Sequence, residues 1–317
     1  MQLEGVYSVL PTPFHPNGDV DESSLRRVVD VFIAAGVNGV TALGVTGEAA
    51  RLDDDERRRV LDVVVAQVNG RIGVVAGTTA EGTRTCIGYS RQAHASGATA
   101  VMVSPPRLPK LNSDAVLRHY TALASAVEID IVIQDYPPAC GFAMEPALLA
   151  RIAREIPRAR TIKLEDPPTP FKTSRIIESC GETPVRIFGG LGGVFLLEEL
   201  LAGATGAMTG FAFPEILVAV VSHFRAGRIA QAAEIFYRAV PLMRFEFQEG
   251  IGTAIRKEIL RRRGALAHAA MRAPAGALDQ TTREALDRVM EWSESLLGAH
   301  ACDVDAPKRP AAAGSAG

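Results

Sequence analysis

Lysine is scarce in this chain. Of 34 lysine and arginine residues only five are lysine: Lys110, Lys163, Lys172, Lys257 and Lys308. A lysine amine carries charge when protonated and attacks carbonyl carbon when neutral, so each position can be examined for that chemistry. Four have ordinary settings: Lys110 in the Pro-rich stretch PPRLPKLN, Lys172 at the start of a helix, Lys257 in the charged helix IRKEILRRR, and Lys308 in the C-terminal tail. Lys163 differs, because ARTIKLED reads as a strand in which Ile162 and Leu164 alternate with it. In a parallel barrel one strand face meets the helices and the other the interior, so a lysine opposite two apolar neighbours points inward. Desolvation there disfavours the ammonium and leaves free amine able to condense with a ketone as a Schiff base. A second reading stays open: Glu165, two residues on and on the same face, would hold Lys163 in a buried ion pair.

Three further clusters have residue types suited to binding. In LGVTGEAARL, at 43–52, a strand end runs into a Gly-Val-Thr-Gly turn. Gly44 and Gly47 would let the backbone present N–H groups beside Val45, and Thr46 adds a hydroxyl, so the turn suits a small carboxylate as well as a plain connection. In IVIQDYPPACG, at 131–141, Gln134, Asp135 and Tyr136 gather at a strand's C-terminal end, where barrels keep their chemistry, although the same residues would also cap a polar loop. In RIFGGLGGVF, at 186–195, Gly190 and Gly192 lack the third glycine of a dinucleotide fingerprint, position 195 being Phe; a close backbone approach to substrate fits better. Arg107, Lys110 and Asp135 lie in loops that would reach a substrate's distal end.

These residues need a scaffold, and the pattern supplies one. Short apolar runs at 6–10, 39–44, 72–78, 99–104, 129–135, 160–165, 185–189 and 205–211 alternate with helix-type stretches such as 22–35, 54–68 and 214–226. Three helix-to-strand junctions repeat one another, AAGVNGVTALG, ASGATAVMVSP and LAGATGAMTGF, each with a glycine placed for a left-handed helix end. Eight such units predict an α/β chain folded as a (β/α)8 TIM barrel over 1–228, with an open doubly wound sheet as the alternative. Strand signals then stop, and 229–298 reads as a C-terminal helical extension of three accessory helices. The stretch 299–317, rich in Ala, Pro and Gly, predicts a disordered tail.

Composition removes several function classes. The chain has 317 residues, 47% of them hydrophobic and 22% charged, with a net charge of −2. No apolar run approaches a membrane span, and no basic surface of the kind that drives nucleic-acid binding is present in the charge balance. Cys86, Cys140, Cys180 and Cys302 are scattered without CxxC spacing, and six histidines lack HxH or HExxH spacing, so neither a disulfide framework nor a protein-held metal is expected. MQLEGVYSVLPTPF does not read as a signal peptide, and a cytoplasmic chain is expected.

GVTGE after the second strand, the lysine of the sixth and the glycines of the seventh, in this order, resemble the dihydrodipicolinate synthase and N-acetylneuraminate lyase family. The resemblance runs from about residue 6 to 263. It implies a (β/α)8 barrel with extra C-terminal helices, usually a homotetramer, acting without metal or bound cofactor on a small 2-oxo acid through a lysine Schiff base. Lys163 then corresponds to that lysine, Thr46 and Gly47 to the carboxylate site, and Gly190 to the lining of the same pocket.

The departures narrow the activity. The family's first hydroxyl residue of the turn is Val45 here, its strand-five tyrosine position is Gln134, and the tyrosine after strand four falls near Pro106 or Arg107. The arginine that receives the second carboxylate in the synthase is Ala139, which disfavours synthesis from pyruvate and aspartate semialdehyde. QDYP and SPP resemble the branch acting on 2-keto-3-deoxy sugar acids, such as 2-keto-3-deoxyarabonate dehydratases. The expectation is a Schiff-base lyase, by aldol cleavage or dehydration, with Lys163, Gln134 and Tyr136 catalytic. Thr46, Gly47, Val45, Gly190, Asp135 and Arg107 are expected to bind substrate. The synthase and a non-catalytic 2-oxo-acid-binding barrel are the alternatives.

Overall fold

The computed structural model describes residues 3–297, with side chains to 294; the tail expected at 299–317 lies outside the described residues. Eight parallel strands close on themselves: β1 (Gly5–Val9), β2 (Gly39–Ala42), β3 (Gly73–Gly77), β4 (Ala100–Val103), β5 (Asp130–Asp135), β6 (Thr161–Leu164), β7 (Arg186–Gly189) and β8 (Gly206–Thr209). Pairing of β1 with β8, Tyr7 opposite Met208, completes the ring and excludes the open sheet.

Helices wrap the barrel in sequence: α1 (Glu22–Ala34), α2 (Asp54–Val68), α3 (Thr83–Ala95), α4 (Ser113–Ala126), α5 (Pro137–Cys140), α6 (Pro146–Glu155), α7 (Thr169–Cys180), α8 (Leu196–Leu201) and α9 (Pro214–Arg225). α10 (Ile229–Glu246), α11 (Gly252–Arg262) and α12 (Gln280–Leu297) follow the last strand. Local chemistry starts several of them. Asp21 accepts from Ser24 N–H at the head of α1, and Asp53 with Glu56 forms a reciprocal capping box on α2. Gly36, Gly97 and Gly203, one at each repeated junction, have φ of 84°, 98° and 103°, the left-handed turn that returns the chain to the next strand.

Outward strand residues such as Val40, Val74, Val101, Ile133 and Ile187 join the helices in one large apolar cluster. The inward set forms a second, smaller cluster of Leu3, Tyr7, Val75, Ala100, Met102, Val132, Phe188 and Met208. The Tyr7 ring meets Phe188 edge-on at 5.5 Å between centroids. It also occupies the volume that side chains at Gly39 and Gly73 would need, since a Cβ there would lie 2.2 and 2.8 Å from Tyr7 atoms. This plug fills the barrel and leaves its C-terminal end to polar groups. No helix among the described residues is long and apolar enough to cross a membrane.

Candidate active site

Lys163 stands on β6 between Gln134 of β5 and Phe188 of β7 in the pairing register, so it shares their inward face. It is 5% exposed. Its Nζ lies 3.1 Å from Glu165 Oε2, and Gln134 Nε2 donates to the same oxygen at 2.7 Å. Ser104 Oγ donates in turn to Gln134 Oε1 at 3.1 Å, while Ser104 N–H is held by Thr79 Oγ1 at 2.9 Å. One buried chain, Ser104 to Gln134 to Glu165 to Lys163, therefore crosses from β4 to β6. The two features read from its strand meet here: the amine faces inward and is also ion-paired with Glu165.

Gly190 belongs to this arrangement through its missing side chain. A Cβ there would stand 2.2 Å from Glu165 Cγ and 2.9 Å from Oε1, so glycine makes the room in which the carboxylate sits. Tyr136 is half-buried at the end of β5. Burial, and after it the Glu165 and Glu249 carboxylates, push its phenol above the ordinary range, so it stays protonated at neutral pH. Glu249 follows α10, which brings the C-terminal helices to the rim.

Asp135 does not join the site. One residue along a strand reverses the side chain, and Asp135 points away from Gln134 into a buried pair with Lys172 Nζ, 2.6 Å away. Lys172 also reaches Asp166 at 2.6 Å, so it is a buried cross-link of β5, the β6–α7 loop and α7 rather than an ordinary helix-start residue. Burial outweighs the lysine and raises the Asp135 carboxyl to about 6. Arg107 is exposed on the loop after β4.

The glycine turn is built differently from its sequence appearance. Its left-handed residues are Leu43 (φ 58°) and Glu48 (φ 55°), each of which costs about 1–2 kcal/mol outside glycine. Gly44 is extended, and a Cβ at Gly47 would be tight, 3.2 Å from Leu10 O. Gly47 N–H is spent on Gly44 O, and Gly47 O accepts from Thr12 Oγ1 at 2.6 Å. Gly47 thus shapes the turn instead of donating to a ligand. Val45 is 55% exposed, and Thr46 Oγ1 is buried with no partner, the one unspent side-chain donor of this turn.

Glu48, next in line, is buried. Its carboxylate takes Lys257 Nζ from α11, Arg51 Nη1 at 2.7 Å and Arg272 N–H at 3.0 Å. Lys257 is fully buried, also bonds Ala270 O at 2.8 Å, and burial pulls its ammonium down to about 8 against the pull of Glu48. It is therefore no surface charge of a solvated helix. Arg256, beside it, pairs with buried Glu246 and lies over Gly210 at the end of β8. Only the GVTGE motif marked Glu48 in the sequence, and nothing local marked Lys257 or Arg256. Among the described residues no group of three or more His, Cys, Asp or Glu side chains could hold a metal ion.

Comparison with known proteins shows the family. The model of the Dihydrodipicolinate synthetase family matches residues 2–292, and the chain belongs to that family. It is 34% identical over 300 residues to an L-2-keto-3-deoxyarabonate dehydratase of Azospirillum brasilense, covering 92% of this chain and 95% of that protein. Similarity to a 4-hydroxy-tetrahydrodipicolinate synthase of Pelobacter propionicus is 36% over 236 residues, covering 74% and 76%. The crystal structure of dihydrodipicolinate synthase from Rhodopseudomonas palustris superposes with a TM-score of 0.86 at 33% identity, covering 91% of this chain and 97% of that one. The chain is accordingly an enzyme of this family, a lyase.

Proposed function

We propose that this enzyme dehydrates a 2-keto-3-deoxy sugar acid through a Schiff base on Lys163. The observation that carries the reading is the single Glu165 oxygen shared by Lys163 Nζ at 3.1 Å and Gln134 Nε2 at 2.7 Å. The near full-length similarity to the Azospirillum dehydratase supports the substrate class. The enzyme works on this small molecule in the cytoplasm, with no metal or bound cofactor.

The substrate carboxylate rests against Thr46, whose hydroxyl is otherwise unspent. Lys163 amine adds to the C2 carbonyl, its proton passes to Glu165 and from there to the carbinolamine hydroxyl, and loss of that hydroxyl as water gives the iminium and leaves Glu165 ionised. The iminium draws electrons from C3. Glu165, already beside the nitrogen, is then one carbon from C3 and removes a proton there to give the enamine. The enamine expels the C4 hydroxyl, which leaves as water with a proton from Tyr136 or the protonated Glu165. Water then hydrolyses the conjugated iminium and frees Lys163. Gln134 orients Glu165; an amide cannot carry the proton itself.

Position favours dehydration over aldol cleavage, because cleavage needs a base at the C4 oxygen and the buried carboxylate lies nearer C3. The synthase reading loses the second-carboxylate arginine, Ala139 standing at that position on α5. The test is incubation with pyruvate and with 2-keto-3-deoxy acids under borohydride, followed by peptide mass spectrometry and product analysis. A reduced adduct on Lys163 and a dehydrated product with the carbon skeleton intact are expected. Absence of any adduct would leave the non-catalytic binding barrel, and release of pyruvate would make the enzyme an aldolase.

A homotetramer belongs to the same proposal. Phe171 of α7, Leu201 of α8 and Tyr237 of α10 are 65%, 62% and 56% exposed, and Tyr237 Oη is tied to Glu198 of α8 at 2.8 Å, so three adjacent helices carry apolar side chains in solvent.

A further inference from the structure

We infer that Lys257 and Glu48 are positioning residues: helix α11, through their buried ion pair, sets the Val45–Gly47 turn that receives the substrate carboxylate. The inference rests on the Schiff-base reading above, which makes Thr46 part of the carboxylate site.

The C-terminal end of the turn is pinned twice, at Gly47 and at Glu48, largely by groups distant in sequence. At Gly47 the carbonyl is held by Thr12 Oγ1 at 2.6 Å. Immediately after it, Glu48 sits in the left-handed region and is buried, with Oε1 on Lys257 Nζ and Oε2 on Arg51 Nη1 and Arg272 N–H. Lys257 and Glu48 are 209 residues apart in the chain. A backbone conformation that a glutamate rarely adopts persists when the surroundings over-determine it, and here three donors do so. Lys257 is itself fixed by Ala270 O at 2.8 Å and by the Phe14 ring, whose centroid lies 4.4 Å from Nζ. Arg272 stacks on the same ring at 4.5 Å. Immediately before the two pins Thr46 Oγ1 is buried and has no protein partner. A hydroxyl held unspent at a fixed place is what a carboxylate site requires, and the pins come from segments that touch no reacting atom.

A pair that merely fastened α11 to the barrel would affect stability alone. A pair that sets the turn affects how much 2-oxo acid is needed to load Lys163, while leaving the amine competent. The full-length chain is titrated with pyruvate under borohydride, and the fraction of Lys163 reduced is read by intact-protein mass spectrometry. Wild type is compared with Lys257→Met, Glu48→Gln and the double variant, which leaves no unpaired buried charge and so retains the fold better than either single change. The half-loading pyruvate concentration is expected to rise about tenfold or more in the double variant, the size of losing one charge-assisted hydrogen bond, with complete labelling still reached at saturation. An unchanged half-loading concentration in a folded double variant overturns the inference.

A measurement on the wild type needs no variant. Because coupling between two sites is reciprocal, saturating pyruvate is expected to slow hydrogen exchange in α11 as well as in residues 43–52. Slowing confined to 43–52 also overturns the inference. Failure of wild type to form any adduct would instead overturn the Schiff-base reading itself, so the two failures are distinguishable.

Discussion

On the proposed mechanism, the Glu165 carboxylate, 3.1 Å from Lys163 Nζ, is placed to move protons throughout the reaction, and its other neighbours hold it there. Gln134 and Ser104 fix its direction, and Gly190 leaves its volume free. Glu165→Gln is accordingly expected to lower kcat by about 10²–10⁴-fold while Lys163 still forms a borohydride-reducible adduct, measured by steady-state kinetics beside peptide mass spectrometry. Lys163→Met should abolish adduct and turnover together. Gly190→Ala should act on the same carboxylate from behind, since the new methyl group would overlap Glu165 Cγ; activity is expected to fall with the adduct preserved. At this scale much of the site was legible in the sequence, because strand alternation assigns Lys163, Glu165 and Gln134 to one face. Asp135 departs from the cluster that QDY suggests, because adjacent strand residues face opposite ways.

Between elements, buried polar contacts decide alignment. Glu199 of α8 lies against Gly189 of β7, where a Cβ would clash with its Oε2, and accepts from Thr169 Oγ1 of α7 at 2.6 Å. Burial, opposed by Thr169 and reinforced by Glu198 and Glu165, raises its carboxyl from 4.5 to about 8. The folded chain thus binds this proton more tightly than the unfolded chain. The stability it contributes is full below pH 4.5 and is lost as pH rises through about 8. Glu199→Gln, which keeps an acceptor for Thr169 but cannot ionise, should flatten this part of the pH dependence, read by denaturant unfolding across that range. The elements themselves were largely visible in sequence: helix starts at Asp21 and Asp53, and helix ends at Gly36, Gly97 and Gly203, are local codes. Strand ends were not. β2 stops at Ala42, two residues early, because Leu43 turns left-handed with Glu48 held by a distant helix.

Over the whole molecule, the apolar plug below the site and the helices beyond the last strand divide the labour between stability and precision. Phe188→Ala should cost about 3–5 kcal/mol in chemical unfolding, because the barrel interior cannot collapse around the space left by a ring packed on Tyr7. The exposed Phe171, Leu201 and Tyr237 predict self-association; light scattering after size exclusion should give a tetramer, and Phe171→Glu with Leu201→Glu should yield smaller species. Alternating strands and helices, glycine helix ends and the inward parity of Lys163 were determined by the sequence itself, since each depends on residues a few positions apart. Closure through β1 and β8, the shared oxygen of Glu165, the outward pairing of Asp135 with Lys172 and the grip of Lys257 on Glu48 were decided only in three dimensions. Those contacts join residues from separate units of the chain, and their partners are selected by which side chains the closed barrel brings within hydrogen-bonding reach, a condition that no local pattern encodes.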